Sequence, residues 1–397
     1  MPNPLRALLE LADAEKDARG LRHTPQEIYQ QPESWKTTFQ KCLESRAELS
    51  SFLKQCRVGT EDSSPPIVFL VGAGTSDYIG RAVADLLRQR WSSIVWTVPS
   101  TDLLSNMESL ILPAREYLWI SFSRSGDSSE GVAVLKKALA AYPRIRHLVV
   151  TCNGNGQMAQ LCAGRPDQAR ALVLDEAVND QGLAMTSSFS NMVVAGQCLA
   201  HLAELDRYGE ILRCMMEAGR GFMRNAADVA ASIAAMNCAK ACFVGSGPLA
   251  AVANESALKL LELTGGKIHT MSESVLGLRH GPMSALDQST LYIQFVSSDR
   301  RRQPYDLDLL KEIRGKQLAG VTVAVAPQPT LELDRWADYQ IPLDVPSTFK
   351  DEYRPPLDVM FGQLLGLFSS LNVGLQPDRP SPNGAINRVV SHLRVYP

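Results

Sequence analysis

Ser121-Phe122-Ser123-Arg124-Ser125-Gly126-Asp127-Ser128-Ser129-Glu130 concentrates hydroxyls, a guanidinium and a glycine in one short stretch. The apolar run Tyr117-Leu118-Trp119-Ile120 precedes it, and Val132, Leu135 and Leu139 follow at helical spacing. Strand, hydroxyl-rich loop and helix start, in that order, aim backbone N–H groups, hydroxyls and a helix N-terminus at one point, which suits an anion. Arg124 adds a planar, charge-assisted donor. Phosphate is the anion this set fits. The alternative is a serine-rich turn whose hydroxyls only cap the helix.

A second group lies further along. Glu255, Lys259 and Glu262 are spaced i, i+4, i+7 and share one face of a predicted helix. Val252, Ala253, Leu260 and Leu261 are expected to pack that helix elsewhere, and Gly265-Gly266 to close it. Arg279-His280-Gly281-Pro282 follows, a histidine on a constrained turn. Carboxylate and imidazole together make a proton-transfer set. The competing reading is a solvated, salt-bridged stripe. The helix opens from a glycine turn, however, where ligands bind in doubly wound sheets.

Gly72-Ala73-Gly74-Thr75-Ser76-Asp77 also follows an apolar run. It is no dinucleotide fingerprint, because Tyr78 and Ile79 stand where the third glycine belongs, and no Gly-Lys-Ser/Thr makes it a Walker loop. Its position places Thr75 and Ser76 opposite Ser123, Ser125 and Ser128 in one crevice. His269 reads as a structural residue in a strand, while His23, His147, His201 and His392 have no suggestive company. No HExxH, facial triad or Gly-x-Ser-x-Gly elbow is present, so neither a catalytic metal nor a serine nucleophile is indicated.

These residues need a frame. Short apolar runs at 67–71, 94–98, 117–122, 147–152 and 171–174 suit strands buried on both faces, and helical patterns at 79–90 and 131–141 separate them. The rhythm is that of a doubly wound α/β domain. It then restarts: Ala241-Cys242-Phe243-Val244-Gly245-Ser246-Gly247 echoes Val68-Phe69-Leu70-Val71-Gly72-Ala73-Gly74, and 291–297 echoes 118–123. Gly72 to Gly245 is 173 positions and Ser123 to Ser297 is 174, as a duplicated domain requires. The second copy has Ser297-Ser298-Asp299-Arg300 in place of Ser123-Arg124-Ser125-Gly126, so it is not expected to hold a phosphate. The predicted organisation is a helical segment at 1–50, one α/β domain at 51–205, a connecting helix near 204–235, a second α/β domain at 215–375 and an extended tail at 376–397.

Bulk composition narrows the function classes. The 397 residues carry a net charge of -2, and Arg300-Arg301-Arg302 is the only tight basic run, so nucleic acid is not indicated. Eight scattered cysteines without CxxC spacing read as reduced thiols in a cytoplasmic enzyme. Met1-Pro2-Asn3-Pro4 lacks the basic and apolar regions of a signal peptide. The most apolar run, 360–375, is interrupted by Gln363, Ser369, Ser370 and Asn372 and reads as a buried helix rather than a membrane span.

The motifs together resemble the sugar isomerase (SIS) domain family, in its tandem two-domain form, over roughly residues 50–397. The turn at Gly74-Thr75-Ser76 and the loop at 123–126 are similar to that family's sugar-phosphate signature, and 254–262 with 279–282 resemble the isomerase domain of glucosamine-6-phosphate synthase. The resemblance implies that Gly74, Thr75, Ser76, Ser123, Arg124, Ser125 and Ser128 bind the phosphate and nearby hydroxyls. Glu262 would move a proton between C2 and C1, and His280, supplied in the family by a neighbouring subunit, would assist ring opening. Glu255 and Lys259 would line the sugar, with the Lys259 ammonium favouring the ionised form of Glu262. Arg124 stands where the synthase commonly has glutamine. The first sixty residues are too few to hold the synthase's glutaminase domain, so glutamine is not expected as the ammonia source, and the stretch 383–388 lacks the lysine of the synthase tail.

Length, the segment 185–192 and the tail 387–390 are most similar to the AgaS subgroup. That subgroup implies deaminating isomerisation of galactosamine 6-phosphate to tagatose 6-phosphate, with no cofactor and at least a dimer. Isomerisation without loss of nitrogen, or deglycation of a fructosamine phosphate, would use the same residues. A sugar-phosphate-sensing regulator would need a DNA-binding module, and the short N-terminal segment shows no helix-turn-helix.

Overall fold

Continuous apolar runs dictate the architecture. The computed structural model describes residues 3–59, 65–390 and 393–396, so Met1, Pro2 and His392 lie outside the described residues. β1 (Ile67–Gly72), β2 (Val95–Pro99), β3 (Tyr117–Ser123), β4 (Ile145–Thr151) and β5 (Ala169–Val173) form one sheet in the order β2-β1-β3-β4-β5. β6 (Lys240–Gly245), β7 (His269–Ser274), β8 (Thr290–Phe295), β9 (Val321–Ala326) and β10 (Tyr339–Pro342) form another, in the order β10-β9-β8-β6-β7. All pairings are parallel. Read from β7, the second order repeats the first, so the two halves have the same strand order as well as the same motif spacing. The chain is thus α/β with two parallel sheets and a helical N-terminal segment, as expected. Strand ends differ from the sequence reading by one or two residues, where pairing rather than hydropathy sets the limit.

The chain divides into two compact units that are not contiguous in sequence. The β1–β5 unit takes Glu33–Asn179, Ser187–Leu212 and the chain from Asn387 onward; the β6–β10 unit takes the residues up to Pro32, Asp180–Thr186 and Arg213–Ile386. In the β1–β5 unit, every residue of β1 and β3 is buried. Register aligns Phe69 with Trp96 on β2 and Trp119 on β3, and the rings stack at centroid separations of 6.0 and 5.8 Å. Such cross-strand pairs contribute about 0.5–1.5 kcal/mol each beyond burial. Helices Thr75–Trp91 and Ser129–Ala141 start directly after the two candidate phosphate loops.

In the β6–β10 unit, helix Pro248–Leu263 packs on helix Pro355–Asn372. The latter is the buried helix expected over the 360–375 run. Two of its polar interruptions are paired: Gln363 accepts from Gln31 Nε2 at 2.7 Å and donates to the Thr186 carbonyl at 3.2 Å, and Asn372 Nδ2 donates to Asn237 Oδ1 at 2.6 Å, whereas Ser370 Oγ is buried with no hydrogen-bond partner among the described residues. Gly362 permits the close approach, since a Cβ there would stand 2.3 Å from Ser256 Oγ. No helix among the described residues is long and apolar enough to cross a membrane. All eight cysteines are free, and burial pushes the thiols of Cys56, Cys162 and Cys242 up to about 12.

Candidate functional site

β1 and β3 are neighbours, and the strand order reverses between them. The loops after them therefore leave the same edge of the sheet at its switch point, where open α/β sheets bind ligands. After β1, Gly74 takes φ 55, ψ −126, and Thr75 and Ser76 enter the first helical turn, both buried. After β3, the loop is shaped by its own groups. Ser123 Oγ accepts from the Gly126 N–H at 3.1 Å, Ser125 Oγ accepts from the Asp127 N–H at 3.2 Å, and Asn153 Nδ2 donates to the Ser125 carbonyl at 2.8 Å. Ser128 is the N-cap residue of helix Ser129–Ala141, yet its side chain makes no capping bond. A loop whose hydroxyls served only to cap would use that one first.

Arg124 is buried, and its guanidinium donates to the backbone carbonyl of Arg388 in the tail. The Arg388 guanidinium is in turn held by the Asn179 side chain at 2.8 Å. Two residues on, the Val390 carbonyl accepts from the Ser129 N–H at 3.0 Å and from its hydroxyl at 3.2 Å. The tail thus takes up three donors of the 121–130 stretch, one from Arg124, a residue expected to face the anion, and two from Ser129. The tail 387–390 carries part of the family resemblance, but backbone carbonyls have no side-chain signature, so nothing in the sequence marked those of Arg388 and Val390 as partners of this loop.

The Glu255–Lys259–Glu262 face is not a solvated stripe. Glu255 and Lys259 are fully buried and Glu262 is partly buried. Lys259 Nζ lies 2.6 Å from Glu262 Oε2 and 3.3 Å from Glu255 Oε1. Burial works against the ammonium, but the two carboxylates outweigh it and hold the Lys259 pKa above its ordinary value. The helix ends as expected: the Gly265 and Gly266 amides bond back to the carbonyls of Glu262 and Leu261, at 3.0 and 2.9 Å. Asn254 Nδ2, one residue before Glu255, donates to Ser272 Oγ on β7 at 2.8 Å.

A cavity of about 430 Å³ opens beside Glu262. Its walls are the C-terminal half of this helix, including Leu258 and Leu261, and the segment from Leu375 to Ile386. Leu261 was expected to pack in the core; it is 37% exposed and faces this cavity, because Leu260 and Leu263 already fill the inner face. Lys267 also lines the cavity, with its Nζ donating to the Val373 carbonyl at 2.8 Å. His280 follows a short 3-10 turn, is exposed, and is not among the residues lining the cavity. Among the described residues no group of three or more His, Cys, Asp or Glu is arranged to hold a metal ion.

No family model matches the chain. Similarity to individual proteins is extensive. D-Galactosamine-6-phosphate deaminase AgaS of Escherichia coli is 35% identical over 375 residues, covering 94% of this chain and 95% of that one. The crystal structure of tagatose-6-phosphate ketose/aldose isomerase from Escherichia coli superposes with a TM-score of 0.85 at 31% identity, covering 94% of this chain and 96% of that one. The C-terminal domain of glucosamine-fructose-6-phosphate aminotransferase from Francisella tularensis shares the fold, with a TM-score of 0.71 at 18% identity over 88% of this chain and 96% of that one.

Proposed function

The chain belongs to the AgaS family, and from that premise we propose that it converts galactosamine 6-phosphate and water to tagatose 6-phosphate and ammonia. The observation that carries the reading is the buried Lys259 ammonium in contact with Glu262 at the wall of a cavity large enough for a sugar phosphate. His280 assists ring opening to the C1 aldehyde, which acidifies the C2 proton. Glu262 removes that proton and delivers it to C1, while the C2 nitrogen gives up one proton and the aldehyde oxygen takes up one to become the C1 hydroxyl. The nitrogen is then a C2 imine, and water converts it to the C2 ketone with release of ammonia. No redox step occurs, and the reaction calls for no cofactor.

Thr75, Ser76, Ser123, Ser125 and Ser128, with the Gly74 turn, hold the phosphate, and that non-reacting end of the substrate supplies binding energy for orientation. Arg124 shapes this loop through the tail as well as by its charge. Glu255 keeps the Lys259 ammonium in place. Because His280 is exposed and stands apart from the cavity at Glu262, we assign it to a neighbouring chain's reaction, which makes a dimer the smallest active form. Eight free cysteines support a cytoplasmic setting.

The test is ammonia release by the purified protein from galactosamine 6-phosphate, with glucosamine 6-phosphate and tagatose 6-phosphate as comparisons. Release that Glu262→Gln abolishes supports the reading. Interconversion of phosphorylated aldose and ketose without ammonia would replace it with simple isomerisation, the activity named for the Escherichia coli structural relative. Mixing Glu262→Gln with His280→Ala chains tests sharing: activity returns only if one chain's histidine serves another's base.

A further inference from the structure

The β6–β10 unit repeats the geometry of the phosphate loops but fills it. Its turn Gly245-Ser246-Gly247 matches Gly72-Ala73-Gly74, with Gly247 at φ 57, ψ −131 against Gly74 at φ 55, ψ −126. β6 and β8 are neighbours at a switch point, as β1 and β3 are. Space around the two turns differs. A Cβ on Gly74 would meet nothing within 4 Å, whereas a Cβ on Gly247 would stand 2.9 Å from Arg302 Cζ. The Arg302 guanidinium donates to Asp351 Oδ2 at 3.2 Å.

Asp351 is almost fully buried, and its carboxylate is surrounded by donors. Ser297 Oγ donates to Oδ2. The Ser298 N–H donates to Oδ1 at 2.9 Å, the Ser298 hydroxyl shares its proton between the Phe349 carbonyl at 2.6 Å and Oδ1 at 2.8 Å, and Arg354 Nη1 reaches the same oxygen at 3.2 Å. Two hydroxyls, a backbone N–H and two guanidiniums at the end of a parallel strand form an oxyanion cradle of the phosphate-binding type. Arg354 itself is pinned by Asp358 at 3.1 and 2.8 Å and by the Val296 carbonyl at 2.7 Å, so it stays aimed at the cradle.

We propose that the second switch point is an anion-binding site occupied by the chain's own Asp351 carboxylate, which closes it to phosphosugars. The partly buried Arg302 and the fully buried Arg354 both face Asp351, Arg354 in addition to its pairing with Asp358, so the cradle's positive charge is already met by the chain's own carboxylate. The sequence leads one to expect no phosphate here because the loop lacks the serine cluster; the structure adds that the donors it does have, from Ser297, Ser298, Arg302 and Arg354, already face the chain's own carboxylate. This inference does not depend on which sugar the protein turns over.

Asp351→Gly removes the anion and opens its space. Formate, sulfate and inorganic phosphate, each compared with chloride at equal ionic strength, should raise the melting temperature of Asp351→Gly by about 2–4 °C more than that of the unaltered protein at roughly tenfold excess over Kd. Anion binding at the serine loop is common to both proteins, so only the excess reports on the cradle, and the two readings fail separately. Equal shifts in the two proteins would overturn the proposal. Should Asp351→Gly not fold, a double-mutant cycle of Asp351→Asn with Arg302→Ala decides. Strong non-additivity is expected if the carboxylate is Arg302's anion, and additive losses of stability would refute it.

Discussion

Lys259 Nζ stands 2.6 Å from Glu262 Oε2 and 3.3 Å from Glu255 Oε1, a cation held between two carboxylates on one buried helical face. Only Glu262 of the three is partly open to solvent, and it is the one at the cavity. The pairing therefore separates structural from reactive roles within a single helix. Glu262→Gln should lower kcat by about 10²–10⁴-fold with the melting temperature nearly unchanged. Lys259→Met, in contrast, leaves two carboxylates without their cation and should cost about 3–5 kcal/mol of stability in addition to activity. Steady-state kinetics and urea denaturation on the two variants distinguish these outcomes.

Arg124 ties the serine loop to the tail through the Arg388 carbonyl. Arg124→Ala should loosen the tail, and the Ser129 amide, which bonds to the Val390 carbonyl, should then exchange its hydrogen roughly tenfold faster. Hydrogen exchange followed by mass spectrometry measures this at the start of helix Ser129–Ala141. Unchanged protection there would mean that Arg124 does not hold the tail.

Gly362 and Gly221 make a contrasting pair. A Cβ on Gly362 would collide with Ser256, so Gly362→Ala should destabilise by about 1–3 kcal/mol as overpacking. A Cβ on Gly221, inside helix Leu205–Ala234, meets nothing within 4 Å. Gly221→Ala should instead stabilise by about 0.5–1 kcal/mol through helix propensity. Denaturant titration of both variants tests the sign of each.

Glu27 accepts from the Gln181 and Gly182 N–H groups, yet burial, reinforced by the Asp180 carboxylate, pushes its pKa from 4.5 up to about 8. Between those values the unfolded chain has lost the proton that the folded chain keeps. Stability from this group is therefore full below pH 4.5 and declines as pH rises toward 8. Glu27→Gln should flatten that decline in denaturation series across the range, and an unaltered slope would assign it elsewhere.

His147 shows the opposite sign. Burial depresses its pKa from 6.5 to about 3, its ring packs edge-on against Trp119 at 5.5 Å, and neither ring nitrogen has a hydrogen-bond partner among the described residues. Its contribution is present above pH 6.5 and is lost as pH falls toward 3. His147→Leu should be near neutral or stabilising at pH 7 and should reduce acid lability, because it removes two unsatisfied polar atoms. Melting temperatures at pH 5 and pH 7 provide the check.

Local order was the part of this protein that the sequence by itself determined. Uninterrupted apolar runs specified strands buried on both faces, and offsets matching to within one residue between Gly72 and Gly245 and between Ser123 and Ser297 specified a repeat. The i, i+4, i+7 spacing put Glu255, Lys259 and Glu262 on one face, because helical period is a local property. Whether that face met water or core was not local. Burial of Lys259 depends on helix Pro355–Asn372, about a hundred residues later, approaching closely at Gly362.

The partners of Arg124 and Ser298 were equally beyond the sequence. One is a tail carbonyl 264 positions away and the other a carboxylate 53 positions away. A backbone carbonyl looks the same at every residue, and one buried aspartate among many acidic residues carries no mark of what it neutralises. Only tertiary structure decided what each glycine turn would face: open space at Gly74, and at Gly247 the Arg302 guanidinium paired with Asp351. The physical reason is that buried charge is assigned by proximity in space, which the order of residues along the chain does not encode.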